Sequence, residues 1–242
     1  MKCVIAKEKS KISLAGILDI STIDFPGKLC SVVFLAGCPF RCPYCHNHQL
    51  IEMRGEEADT AEVAKKLGEN YLIDGVCITG GEPTLQPGIV SLVREIKKVK
   101  LSVKLDTNGY YPDRLRDVLD YVDYVAIDVK TSPEKYQQLT GREDSWDRVE
   151  KSLKLLSKSG VMWEARTTVV PGLVWDEVRE IAELLREYKP GLYALQQFNN
   201  ENTLDPALRA VDVPSSEKML ELAKLIKGLK VVVRCKDGNF EV

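Results

Sequence analysis

The segment Leu29-Cys30-Ser31-Val32-Val33-Phe34-Leu35-Ala36-Gly37-Cys38-Pro39-Phe40-Arg41-Cys42-Pro43-Tyr44-Cys45 decides how the rest of the chain is read. Leu29 to Leu35 is a short apolar run rich in β-branched residues, the pattern of a buried strand. The loop after it sets Cys38, Cys42 and Cys45 close together, and Pro39 and Pro43 limit its freedom. Three thiolates so spaced can converge on one metal centre. They cannot complete the four-cysteine set of an electron-transfer iron–sulfur cluster, so one metal position stays open to a ligand. The same residues also suit a structural zinc site completed by His46 or His48.

Outward from this segment, strands and helices alternate. Strands are expected over residues 29–35, 75–79, 101–106, 124–128, 162–170, 193–198 and 230–235. Helices are expected over 60–70, with Thr60 as N-cap, then over 87–99, 112–119, 146–159, 175–188 and 216–227. Repeated βα units on short loops require crossovers and imply a parallel sheet. About six units predict an α/β fold, a partial (βα)6-type parallel barrel. One domain over residues 1–242 is expected, with 1–28 an N-terminal extension and 198–242 the elements that close the barrel. Phe198 to Pro214, rich in Asn, Asp and Pro, is either a lid or partner-facing loop, or a passive one.

The strand ends carry a ring of polar residues. Thr79-Gly80-Gly81-Glu82-Pro83 ends the second strand, Asp106-Thr107-Asn108-Gly109 the third and Asp128-Val129-Lys130 the fourth. Glu164, Arg166 and Thr168 share one face of the fifth. In barrels of parallel strands these ends form the active-site rim. Gly80 and Gly81 allow close backbone approach to a ligand, and Glu82 suits an ammonium group. Asp106 and Asp128 suit ribose hydroxyls, an amine or a cation. Lys130 suits a carboxylate, and Arg166 either a ligand or an ion pair. A zinc knuckle has no use for such a ring, whereas a zwitterionic cofactor does.

Composition narrows the classes. The 242 residues carry a net charge of −2 and show no basic face, so nucleic acid is not an expected partner. No apolar run approaches the ~20 residues of a membrane span. Met1 to Lys11 lacks the apolar core of a signal peptide, so a cytoplasmic protein without a membrane partner is expected. Seven cysteines, an odd number in a reducing compartment, argue for metal ligation or packing over disulfides. Cys30 and Cys77 lie in apolar runs and are expected in the core. Cys3 and Cys235 are too isolated to suggest a second site.

Taken together, these motifs resemble the radical S-adenosylmethionine superfamily. The C-x₃-C-x₂-C loop with Tyr44 before its last cysteine, and the Gly80-Gly81-Glu82-Pro83 segment, carry that resemblance. Ser21-Thr22-Ile23-Asp24-Phe25-Pro26-Gly27 and Cys45-His46-Asn47 are similar to the glycyl-radical-enzyme activases. Within these the chain most resembles the activating protein of anaerobic ribonucleoside-triphosphate reductase, with pyruvate formate-lyase activase next. The resemblance implies a [4Fe–4S] cluster on Cys38, Cys42 and Cys45, and S-adenosylmethionine chelated at the open iron. An electron from reduced flavodoxin or ferredoxin would then give a 5′-deoxyadenosyl radical that takes hydrogen from a partner's glycine. By the same resemblance Tyr44 contacts the adenine side, and Gly80, Gly81 and Glu82 hold the methionine amine. Asp106, Asn108, Asp128, Lys130 and Arg166 take the remaining polar groups, with a monovalent cation at the aspartates. A radical enzyme acting on a small molecule or a tRNA base starts from the same loop and is the alternative.

Overall fold

The computed structural model describes residues 10–52 and 55–242; Cys3 lies outside them. The chain divides into two compact units. One holds residues up to Cys38 with Gln49–Thr107 and Asp113–Tyr124; the other holds Pro39–His48, Asn108–Pro112 and Val125–Val242.

The first unit contains β1 (Lys11–Ser21), β2 (Cys30–Leu35), β3 (Glu56–Asp59), α1 (Thr60–Gly68), β4 (Gly75–Gly80), α2 (Ile89–Lys98), β5 (Ser102–Thr107) and α3 (Pro112–Val118). Its strands lie in the order β3-β1-β2-β4-β5. β2 and β4 are parallel and in register from Cys30 opposite Gly75 to Leu35 opposite Gly80, and β4 and β5 are parallel too. Cys30, Cys77, Val32 and Phe25 form a buried cluster, so both strand cysteines are core residues as expected. The helices cover the sheet with their apolar stripes, Val63, Ala64 and Leu67 on α1 and Ile89, Leu92, Val93 and Ile96 on α2.

Two elements here are absent from the sequence expectations. β1 pairs antiparallel with β2 and β3, so much of the expected N-terminal extension belongs to the sheet. Register shifts between Leu14 and Gly16 and between Leu18 and Ser21 break its two-residue alternation, which hides it. β3, Glu56-Glu57-Ala58-Asp59, has no large apolar residue to announce a strand. At the start of α1, Asp59 rather than Thr60 is the N-cap, its Oδ1 accepting from Ala61 N at 2.9 Å. The Thr60 hydroxyl bonds Ser91 Oγ at 2.8 Å instead.

The second unit contains β6 (Tyr124–Asp128), α4 (Tyr136–Thr140), α5 (Ser145–Lys158), β7 (Met162–Val169), α6 (Val178–Tyr188), β8 (Leu192–Gln197), α7 (Ser216–Lys224), β9 (Val231–Cys235) and β10 (Gly238–Glu241). The strands run in the order β6-β7-β8-β9-β10, with β7, β8 and β9 parallel and β10 antiparallel to β9. β10 was not expected. Lys236 and Asp237 turn the chain between Cys235 and Gly238, where Gly238 takes φ 141°. The expected helix from 175 starts as a 3-10 turn over Trp175–Glu177 and becomes α-helical at Val178. Among the described residues no helix is long and apolar enough to cross a membrane.

Candidate active site

In the first unit the approach to Cys38 is fixed by backbone. Gly37 N donates to Leu50 O at 2.6 Å and Cys38 N to Ile51 O at 3.3 Å. The buried Gln86 side chain spans both sides of this segment, donating to Ala36 O at 2.5 Å and accepting from Ser13 N at 3.0 Å. From the end of β4, Gly81 N donates to Leu35 O at 2.8 Å and Glu82 N to Gly37 O at 2.7 Å. A Cβ on Gly81 would stand 2.2 Å from Gly37 O. One on Gly80, which has φ +128°, would stand 2.2 Å from Leu35 O. The glycine pair was expected to allow close approach to a ligand; what approaches it in the structure is the cysteine-bearing segment itself.

Glu82 is fully buried, and its role differs from simple exposure to an ammonium group. Its Oε1 accepts from Thr84 N at 3.0 Å, from the Thr84 hydroxyl and from the Thr107 hydroxyl at 2.7 Å. The carboxylate caps the 3-10 turn at Pro83–Leu85 and ties it to the end of β5. Asp106, on β5, pairs with the ammonium of Lys104. Sequence reading missed Lys104, Thr107 and Gln86 as partners. An Asp-Thr pair read only for its carboxylate gives no warning that the threonine reaches another loop.

In the second unit, Cys42 and Cys45 close a turn in which Cys45 N donates to Cys42 O at 3.0 Å. The loop is held on several sides. Arg41 N donates to Thr140 O at 2.9 Å and Arg142 Nε to Pro39 O at 3.0 Å, while the Phe40 ring meets Tyr110 edge-on with centroids 5.3 Å apart. Residues 198–214 press against this loop too. Asp205 N donates to Pro43 O at 2.8 Å and Asn202 Nδ2 to His46 O at 3.2 Å. Asn202 and Asp205 thus tie this segment to the cysteine loop, while both stay exposed. The His48 ring is engaged through Nε2 by Asn202 Oδ1 at 3.1 Å.

The remaining polar residues of this unit form one charged group. Asp128 accepts from Arg166 Nε at 3.0 Å and from Lys130 Nζ at 3.2 Å. Burial pushes the Asp128 carboxyl up, but Lys130 and then Arg166 outweigh it and hold it below its ordinary value. Burial likewise pulls the Lys130 ammonium down, and the negative charge of Asp128 more than reverses this. Tyr136 accepts from Lys130 N at 3.0 Å, and Thr131 donates to Glu177 at 2.7 Å, so the turn that bears Lys130 is fixed at both ends. Arg166 thus joins this group as the strand order predicts. Glu164, on the same face of β7, is held by Arg234 in a two-pronged pair at 2.7 and 2.6 Å. Asn108 caps its own turn, accepting from Tyr110 N at 3.0 Å.

The donor set fits a thiolate-ligated cluster. Burial pushes the Cys42 thiol up to about 11, with the positive charge of Lys130 pulling the other way. Soft thiolates suit iron–sulfur chemistry, and metal loading would take their protons. Among the described residues no group of three or more His, Cys, Asp or Glu side chains is placed to hold a metal ion. Tyr44 is 5% exposed, and its hydroxyl has no hydrogen-bond partner among the described residues. Such a group costs about 1–3 kcal/mol unless a ligand satisfies it.

Comparison with known proteins agrees with this chemistry. The Radical SAM superfamily model matches residues 32–185. A Methanocaldococcus jannaschii protein named for glycyl-radical enzyme activation is 35% identical over 96% of this chain and 100% of its own. The pyruvate formate-lyase-activating enzyme of Clostridium pasteurianum is 30% identical over 88% of this chain and 96% of its own. Among solved structures, TYW1 with a lysine-pyruvate adduct bound matches with a TM-score of 0.68 at 17% identity, covering 86% of this chain and 77% of that one. At that identity the likeness is one of fold: a mostly parallel α/β sheet of partial-barrel kind.

Proposed function

Because the chain belongs to the radical S-adenosylmethionine superfamily and, within it, to the glycyl-radical-enzyme activating enzymes, we propose that it activates a partner of the pyruvate formate-lyase kind. The observation that carries this partner is the match to the formate-lyase activase across nearly the whole of both chains. The partner first expected, anaerobic ribonucleoside-triphosphate reductase, is the alternative that the test below separates. In the structure Ser21 Oγ donates to Asp24 at 2.6 Å to shape a turn, and Phe25 of that segment is buried in the core. Ser21 and Phe25 are therefore structural, whereas Thr22, Ile23, Pro26 and Gly27 of the segment are exposed.

Family membership implies a [4Fe–4S] cluster and S-adenosylmethionine, which together supply a hydrogen-abstracting radical once an electron arrives. The chain's own residues hold and shield them. Cys38, Cys42 and Cys45 are the cluster ligands in this reading. The Lys130 ammonium, kept protonated by Asp128, takes a carboxylate of the bound cofactor, and Arg166 keeps Asp128 in place. Tyr44 offers its unsatisfied hydroxyl on the adenine side. Gly80 and Gly81 present backbone groups for the amine, and Glu82 locks their turn. Asn202 and Asp205 brace the cysteine loop from residues 198–214. Reduced flavodoxin or ferredoxin supplies the electron.

The test is to mix anaerobic, cluster-loaded protein with S-adenosylmethionine, reduced flavodoxin and either a formate-lyase or an anaerobic reductase, and to record electron paramagnetic resonance spectra. A glycyl radical on the formate-lyase is expected. A radical formed only on the reductase, or cofactor consumption with neither partner, would overturn the proposal. For the site, Lys130→Ala is expected to keep its iron and colour but to bind S-adenosylmethionine about tenfold or more weakly, the worth of one charge-assisted hydrogen bond. Equilibrium dialysis measures this, and unchanged affinity would remove Lys130 from the site.

A further inference from the structure

Asp106 is suited by its chemistry to an amine or a monovalent cation, and the chain itself already provides it with a positive partner. Lys104 precedes it by two residues on β5, so both side chains project from the same face of the strand. The Lys104 ammonium pairs with Asp106 Oδ1 and donates to Cys77 Sγ at 3.6 Å, on the neighbouring strand at the same register position. Lys104 is 3% exposed and Asp106 13%. A lysine buried to this degree on a strand is costly unless it neutralises a charge, and an aliphatic residue would fill the same space without that cost. Its presence is best accounted for by the carboxylate beside it. Asp128 is treated in the same way, with two cations from the chain.

We propose that Lys104 is a positioning residue: the built-in counter-cation of Asp106, which keeps that carboxylate charged and fixed and lets the site work without added Na⁺ or K⁺. This rests on the reading that Asp106 belongs to the cofactor site. A metal cation at the same carboxylate would meet the ammonium at close range, where like charges repel strongly in a desolvated setting. The chain-borne charge thus replaces the mobile one, and cofactor binding becomes insensitive to the monovalent salt present.

The test compares cluster-loaded wild-type protein with Lys104→Met at equal ionic strength in tetramethylammonium chloride or potassium chloride. S-adenosylmethionine affinity and the thermal midpoint are measured in each. Wild type is expected to give the same affinity in both salts, within about twofold. Lys104→Met should lose about tenfold in affinity and about 10 °C in midpoint in tetramethylammonium, because the buried carboxylate loses its ammonium partner. Potassium should restore most of both losses, a rescue that a merely space-filling lysine would not permit. The double variant Lys104→Met/Asp106→Asn should regain the midpoint and lose all response to potassium. The proposal is overturned if wild type itself needs potassium, if Lys104→Met matches wild type in both salts, or if the double variant is no more stable than the single one. Asp106→Asn with unchanged cofactor affinity would instead refute the placing of Asp106 in the site. The potassium response of the Lys104→Met midpoint without cofactor tests the counter-cation role separately.

Discussion

Cys42→Ala is expected to leave the protein folded, colourless and unable to raise a glycyl radical in any partner. Cys42 is the middle of the three cysteines and is 5% exposed, so the side chain is committed to the interior of its loop. The loop's shape does not depend on the thiol. It is held by Cys45 N on Cys42 O, Arg41 N on Thr140 O, Arg142 on Pro39 O and Asp205 N on Pro43 O, all of which an alanine preserves. Removing one sulfur from a buried site costs only about 1 kcal/mol of packing, too little to unfold a domain. The loss in metal binding is far larger, because two thiolates leave a cluster without its third protein ligand. After anaerobic reconstitution the wild type should hold about four irons per chain and the variant close to none, with matching circular dichroism. A variant that keeps its full iron would remove Cys42 from the ligand set. A colourless wild type holding one zinc would overturn the cluster altogether.

The parts of this site legible in the sequence are those where one residue type does one job. The cysteine spacing, the glycine pair and the Asp128–Lys130 turn are local patterns, and the structure finds each at a strand end or in the loop expected for it. The supports were not legible, because each is a contact between distant segments. Glu82 reads as a free acceptor, yet Thr84 and Thr107 engage it. Gln86 is an ordinary glutamine in sequence, and burial makes it a brace between Ser13 and Ala36. The fold shows the same division. Strands buried on both faces, such as Val76–Ile78 and Val125–Ile127, announce themselves as apolar runs. The antiparallel strands β1 and β3 do not, since their pairing is set by neighbours and not by their own pattern. For β10 the signal is local: Asp237-Gly238 beside a β-branched run is a hairpin pattern.

Gly81→Ala is expected to destabilise the protein by about 3 kcal/mol and lower its thermal midpoint by about 6–12 °C. Gly81 has no positive φ, so an alanine is conformationally acceptable there and the whole effect is steric. The added Cβ would lie 2.2 Å from Gly37 O, 2.7 Å from Gly37 C and 3.3 Å from Cys38 Cβ. Two of these are backbone atoms of the segment that delivers Cys38, and no side-chain rotation relieves them. The segment must move away or the β4 turn must lift, and either breaks the 2.7 Å bond from Glu82 N to Gly37 O. A buried donor and acceptor are then left unpaired, which adds to the cost of overpacking. The consequence for function follows from the same atoms: Cys38 shifts with Gly37, and cluster loading should fall along with stability. Gly16→Ala is the matched control, since a Cβ there meets nothing within 4 Å. Its midpoint and iron content should equal those of the wild type. If Gly81→Ala behaved like Gly16→Ala in both measurements, the close approach of the glycine turn to the cysteine segment would not be a constraint in solution, and the glycine would have to be explained by a ligand instead.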